Sequence, residues 1–118
     1  MDGFMVSELP QARGLRVAGE LDLASSAGLR TSLDEAVMAG GPIFVDMREL
    51  TFQDSAGIHA WVDAAEALRP EGWCLTLHAP NAAVQRMMEI VALDRVDNIH
   101  VIYHDEPGET ADLPVQEL

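Results

Sequence analysis

The chain has 118 residues, 48% of them hydrophobic, with one cysteine, seven arginines, no lysine and a formal net charge of −13. That is one domain with one real core, and a single cysteine excludes an internal disulfide. A surface this acidic repels nucleic acid and anionic lipid, and suits either a partner with a basic patch or a plain solvated exterior.

Phe4-Met5-Val6 reads as a short edge strand, and Gln11 to Gly14 as a turn. Leu15-Arg16-Val17-Ala18-Gly19 alternates like a strand with one covered face. Glu20-Leu21-Asp22 leads out of it, and Ser25 or Ser26 can cap a helix running to about Met38. Its apolar positions are Leu29, Leu33, Ala36 and Val37, and Gly40-Gly41 stops it. Pro42-Ile43-Phe44-Val45-Asp46 is a buried strand, followed by a short loop and the apolar Leu50-Thr51-Phe52-Gln53.

Asp54-Ser55-Ala56-Gly57 then opens a helix running to Arg69. Asp54 is a good N-cap, because its carboxylate accepts from free N–H groups of the first turn. Gly57 is expected to keep that turn thin, so that another surface approaches the backbone. Ile58, Trp61, Val62, Ala65 and Leu68 make one apolar stripe, while Ser55, His59, Asp63 and Glu66 fall on the other side. Ser55 is therefore expected to present its hydroxyl to solvent, either as a modification site or as an ordinary second capping residue.

Pro70-Glu71-Gly72 is a turn, and Trp73 to His78 a strand in which Cys74 reads as a small buried thiol. Pro80-Asn81 opens a third helix with Val84, Met87, Met88 and Val91 as its buried stripe. Leu93 to Asn98 loops out, and Ile99-His100-Val101-Ile102 is a last strand. Residues 1–104 thus read as the folded domain. Residues 105–118 carry five unopposed carboxylates, Asp105, Glu106, Glu109, Asp112 and Glu117, with Pro107 and Pro114, and read as a disordered tail. The strand–helix alternation demands a largely parallel sheet, with the opening pair as an antiparallel hairpin on one edge. No basic-then-apolar leader and no long apolar run is seen, so a soluble, reducing, cytoplasmic setting is expected.

Enzyme chemistry finds little support. A nucleophile elbow wants glycine two before and two after the serine; Gly57 fills the second place, but Gln53 occupies the first. Asp54 and His59 are too local to Ser55 to form a relay with it. The four histidines show no metal-ligand spacing, so neither metal nor cofactor is expected. A hydroxyl at a helix N-terminus does suit phosphate, since helix dipole and free N–H groups stabilise added negative charge.

Gly19-Glu20-Leu21-Asp22, Phe52-Gln53-Asp54-Ser55-Ala56-Gly57-Ile58 and Pro80 to Val91, in this element order, resemble the STAS domain, and more closely the bacterial anti-sigma factor antagonists. The resemblance spans roughly residues 4 to 104. It implies a STAS-like mixed β-sheet with an N-terminal hairpin, and a protein that is not an enzyme. It implies binding to an anti-sigma factor that is also a serine protein kinase, which frees a sigma factor. The kinase would phosphorylate Ser55 and so end the complex; a metal-dependent phosphatase of the PP2C type would reset it. Asp22, Asp54, Ser55, Ala56, Gly57 and His59 would line the partner surface. Many relatives carry Ser or Thr at Ala56 and Gly at His59. His59 either pairs with a phosphate on Ser55 at i,i+4 spacing or simply faces solvent. The alternative is a non-switching STAS scaffold, in a stress-signalling complex or beside a lipid-transport ATPase.

Overall fold

The structure, a computed structural model, describes residues 3–9 and 14–103. It contains β1 (Met5–Glu8), β2 (Gly14–Leu21), α1 (Ser26–Ala39), β3 (Ile43–Gln53), α2 (Ser55–Leu68), β4 (Leu75–His78), α3 (Ala82–Ile90) and β5 (Ile99–Ile102). Short 3-10 turns at Arg69–Glu71 and Leu93–Arg95 follow α2 and α3. The proposed disordered tail, residues 105–118, and most of the turn expected at Gln11 to Gly14 lie outside the described residues.

The five strands form one sheet in the order β1-β2-β3-β4-β5. β1 runs antiparallel to β2, with Val6 opposite Val17. The other three pairings are parallel. The mixed sheet with an edge hairpin is therefore as expected. Each parallel pair joins consecutive strands, so crossovers of one hand stack the helices on one face. A single apolar cluster agrees with this. It joins Leu15, Val17 and Leu21 of β2 and Val45 and Met47 of β3 with Leu29 and Leu33 of α1, Trp61 and Leu68 of α2, and Met88 of α3. On the strands' other face Arg16, Phe44, Thr76 and His100 are half-buried or exposed.

Several elements differ from the sequence reading. β3 does not end at Asp46 but runs eleven residues, straight to Gln53. Its parallel pairing with β2 continues through two register shifts, between Arg16 and Ala18 and between Gly19 and Glu20. Arg48 and Glu49, polar enough to read as loop, are exposed residues of this irregular strand, as are Thr51 and Phe52. Asp46, two residues before Arg48, is only 3% exposed. Arg48 donates to it from Nε (3.0 Å), Nη2 (2.7 Å) and its backbone N–H (3.0 Å). Arg16 Nε adds a contact at 3.3 Å.

β4 begins at Leu75 rather than Trp73, where pairing with Ile99 of β5 starts. Cys74 is half-buried, with Sγ 3.8 Å from His100 Nε2. Val84 and Met88 are buried as expected, but Val91 is 46% exposed. It follows the last residue of α3, where the backbone turns left-handed at Ala92 (φ 57°) and Leu93 takes the buried place instead. Gly40 ends α1 with φ 89° and gives its N–H to the Val37 carbonyl.

Candidate functional site

The site lies where the parallel strands end and their connections to the helices begin. The ladder sets Leu21 opposite Gln53, so Asp22 and Asp54 leave neighbouring strands side by side. The Asp54 N–H donates to the Leu21 carbonyl at 3.1 Å, which ties the two exits together.

Asp54 caps α2 as its sequence position predicts. Its backbone is extended (φ −112°, ψ −167°) and its Oδ1 accepts from the Ala56 N–H at 2.9 Å. Its carbonyl accepts from the N–H groups of Gly57 (3.1 Å) and Ile58 (3.2 Å). Ser55 is the first residue of α2 and its side chain is exposed. One turn on, His59 is exposed on the same side. Ala56 is half-buried.

The rest of α2 is firmly held. Gly57, Ile58, Ala60, Trp61, Ala64, Ala65 and Leu68 are buried, a wider stripe than the sequence suggested. Trp61 Nε1 donates to Gln53 Oε1 at 2.9 Å, joining the helix to the end of β3. Arg30 of α1 bridges to Asp63 of α2 at 2.7 Å on the surface.

Gly57 does something other than expected. It is buried, and a Cβ there would lie 2.6 Å from Leu21 Cδ2 and 2.9 Å from its Cγ. The missing side chain lets α2 sit tightly on the end of β2. It does not open the backbone to a visitor, so among the expected partner-surface residues Gly57 is corrected to an inward packing role.

Asp22 has a structural duty too. Its Oδ1 accepts from the Ser25 N–H and the Ser25 hydroxyl, each at 3.0 Å, and its own N–H donates to Ser25 Oγ at 2.9 Å. Ser25 precedes α1 but its side chain caps nothing there; it reaches back to Asp22 instead. The Ser25 N–H, and then its hydroxyl, hold the Asp22 carboxyl below its usual range, so it is ionised at neutral pH.

Three features of this end go beyond the sequence reading, which only places Asn81 at the start of the third helix. Leu23 and Phe52 are large apolar side chains left 78% and 47% exposed. Asn81 caps α3 through its Oδ1, which accepts the Val84 N–H at 2.8 Å, and its Nδ2 donates to the Leu50 carbonyl at 3.0 Å. Ala79, just before it, holds a left-handed backbone (φ 61°). The turn chemistry of Asn81 was legible; the exposure of Leu23 and Phe52 depends on which face each strand end turns outward.

His78 is fully buried with its ring against Phe44, centroids 5.4 Å apart, so it is not a solvent-reachable base for Ser55. Among the described residues no group of three or more His, Cys, Asp or Glu side chains is placed to hold a metal ion. No described helix is long and apolar enough to cross a membrane.

A five-stranded mixed sheet with its helices on one face is the arrangement of a STAS domain. The family model described as "Mlab, STAS domain" matches residues 4–102, and the chain belongs to that family. Among solved structures it is similar to the anti-sigma factor antagonist SpoIIAA in its unphosphorylated form: 19% identity, 98% of each chain covered, TM-score 0.72. It is similar to the phosphorylated form of the Bacillus cell fate determinant SpoIIAA at 18% identity, covering 93% of this chain and 97% of that one, TM-score 0.65. An anti-sigma factor antagonist from Mycobacterium paratuberculosis matches at 19% identity, covering 93% and 94%, TM-score 0.71. Identities this low speak for the fold alone. No curated protein matches the chain.

Proposed function

We propose that this protein is an anti-sigma factor antagonist: it binds an anti-sigma factor of the serine-kinase class, frees a sigma factor, and is switched off by phosphorylation of Ser55. The observation that carries this reading is the exposed Ser55 hydroxyl at the start of a helix whose opposite side is locked into the core. A kinase can reach the oxygen without disturbing the fold. The family's members act by binding rather than by catalysis, which agrees with an Asp54 carboxylate committed to capping and a sealed His78.

The geometry also suggests how a phosphate breaks the complex. The N–H groups of Ala56, Gly57 and Ile58 are already taken by Asp54. Against about −1.5 to −2 added charges the helix start therefore offers its dipole but not these three N–H groups, which the sequence alone leads one to expect free. Asp54 and Asp22 stand beside it as further carboxylates. The new charge is left at the surface, where an apposed partner meets it as bulk and uncompensated charge. His59, exposed one turn along, stands at the i,i+4 spacing at which it can pair with that phosphate. A PP2C-type phosphatase acting on the same exposed position would restore binding. In this setting the protein works in the cytoplasm, with no role for nucleic acid, membrane, metal or cofactor.

The test is to incubate the purified chain with an anti-sigma factor kinase of its own organism and ATP, and map the phosphate by mass spectrometry. Ser55→Ala is expected to abolish modification and keep binding. Ser55→Asp is expected to weaken the complex by about 1–3 kcal/mol, as for an unpaired charge at an interface. Phosphate on another residue counts against the proposal.

A second reading keeps the STAS fold shown by the family match but drops the switch: a non-switching scaffold or adaptor, in a stress-signalling complex or beside a lipid-transport ATPase. It predicts stable co-purification with a transporter ATPase and no ATP-dependent modification of Ser55.

A further inference from the structure

Single exposed apolar residues are common on protein surfaces and need no explanation. Leu23 and Phe52 differ in where they stand and how firmly they are held. The β2–β3 ladder pairs Phe52 with Glu20, immediately before the Leu21–Gln53 pair from which the Asp22 and Asp54 connections leave. Leu23 follows Asp22 directly. Its carbonyl accepts from Ser26 Oγ at 3.1 Å, and Asp22 before it is locked to Ser25. One side chain rides on a strand and the other on a hydrogen-bonded turn, so each loses little backbone freedom when covered. Preorganised, apolar and adjacent to the Ser55 surface, they have the properties of interface anchors.

The charges around them indicate what would cover them. Residues 20–25 and 49–56 carry four carboxylates, Glu20, Asp22, Glu49 and Asp54, and no arginine. Arg30, the nearest base on α1, is engaged by Asp63. A second copy of a chain with net charge −13 is repelled from such a surface. Resting on the function proposed above, we infer that Leu23 and Phe52 are the apolar anchors of the partner interface, received by an apolar pocket on the anti-sigma factor that is bordered by arginine or lysine. Phosphate on Ser55 then lands beside the surface that has to be desolvated for these anchors to seat.

The experiment measures binding of the purified chain to an immobilised anti-sigma factor kinase from the same organism. It compares wild type, Leu23→Ala, Phe52→Ala and, as control, Met38→Ala, an 86% exposed methionine near the far end of α1. Each anchor variant should bind at least about tenfold more weakly, chiefly through faster dissociation, with an unchanged melting temperature; Met38→Ala should change affinity less than about twofold. Raising the salt from about 0.1 M to about 0.5 M should slow association of wild type severalfold. Wild-type binding with full affinity retained by both anchor variants overturns the anchors and leaves the antagonist role standing. Association insensitive to salt overturns the basic border. A wild-type chain that binds no such kinase overturns the antagonist role and the anchors with it.

Discussion

Replacing Gly57 and Gly28 by alanine, one at a time, sets helix propensity against packing in a single protein. Both glycines lie in the first turn of a helix, α2 and α1. Propensity alone favours alanine at each by up to about 1 kcal/mol. At Gly28 nothing lies within 4 Å of the added carbon, so that gain should appear. At Gly57 the carbon falls 2.6 Å from Leu21 Cδ2, against roughly 3.5–4.0 Å for a comfortable carbon contact. Leu21 is fully buried and cannot swing away. Overpacking of this kind costs about 1–3 kcal/mol, which exceeds the propensity gain. Gly57→Ala should therefore be about 1–2 kcal/mol less stable than wild type and Gly28→Ala more stable, by urea unfolding. In thermal melts the two should shift in opposite directions, by roughly 4 °C per kcal/mol for a domain of this size. The strain also loads the Asp54 N–H to Leu21 carbonyl bond, so faster hydrogen exchange of the Asp54 amide is expected in the Gly57 variant. A Gly57→Ala protein that melts at or above wild type would refute the claim that this glycine exists to seat α2 on β2.

Asp46 tests the electrostatics. Burial pushes its carboxyl up, but hydrogen bonds from the Arg48 side chain and backbone, with a further contact from Arg16, outweigh it and hold it below the usual range. A depressed carboxyl contributes stability that is fully present above its ordinary value and lost as the pH falls through the lower folded one. Asp46→Asn should cost about 2 kcal/mol at pH 7, moderated because solvent reaches both guanidinium groups; the gap to wild type should begin to narrow below about pH 4 and close as the pH falls through the depressed folded value. Urea titrations at neutral pH and well below that onset decide it; an equal gap at both refutes it. Trp61→Phe removes the donor to Gln53 Oε1, a fully buried contact, and should cost about 1–3 kcal/mol by chemical denaturation. Ala92→Gly relieves a left-handed backbone at an exposed position and should raise stability by about 0.5 kcal/mol, visible as a small rise in melting temperature.

Much of the site was legible because it is written in short-range pattern. The three- and four-residue spacing of Ile58, Trp61, Ala65 and Leu68 sets which side of α2 is buried, and that alone turns Ser55 and His59 to solvent. Asp54 caps because an aspartate just before an apolar helical run has few better uses for its carboxylate. The alternation of Leu15 and Val17, and of Leu75 and Leu77, likewise announces strands with one covered face. Tertiary structure decided what depends on partners distant along the chain. β3 extends to Gln53 because β2 lies alongside to pair with it, through irregularities that scramble the local alternation. Gly57 faces inward because Leu21, 36 residues earlier, occupies the space a side chain would need. Ser25 turns back to Asp22 rather than forward into α1, and Leu23 and Phe52 stay uncovered, because the strand exits aim them there. A repeating pattern fixes which face of an element is apolar; only the assembled sheet fixes what that face meets.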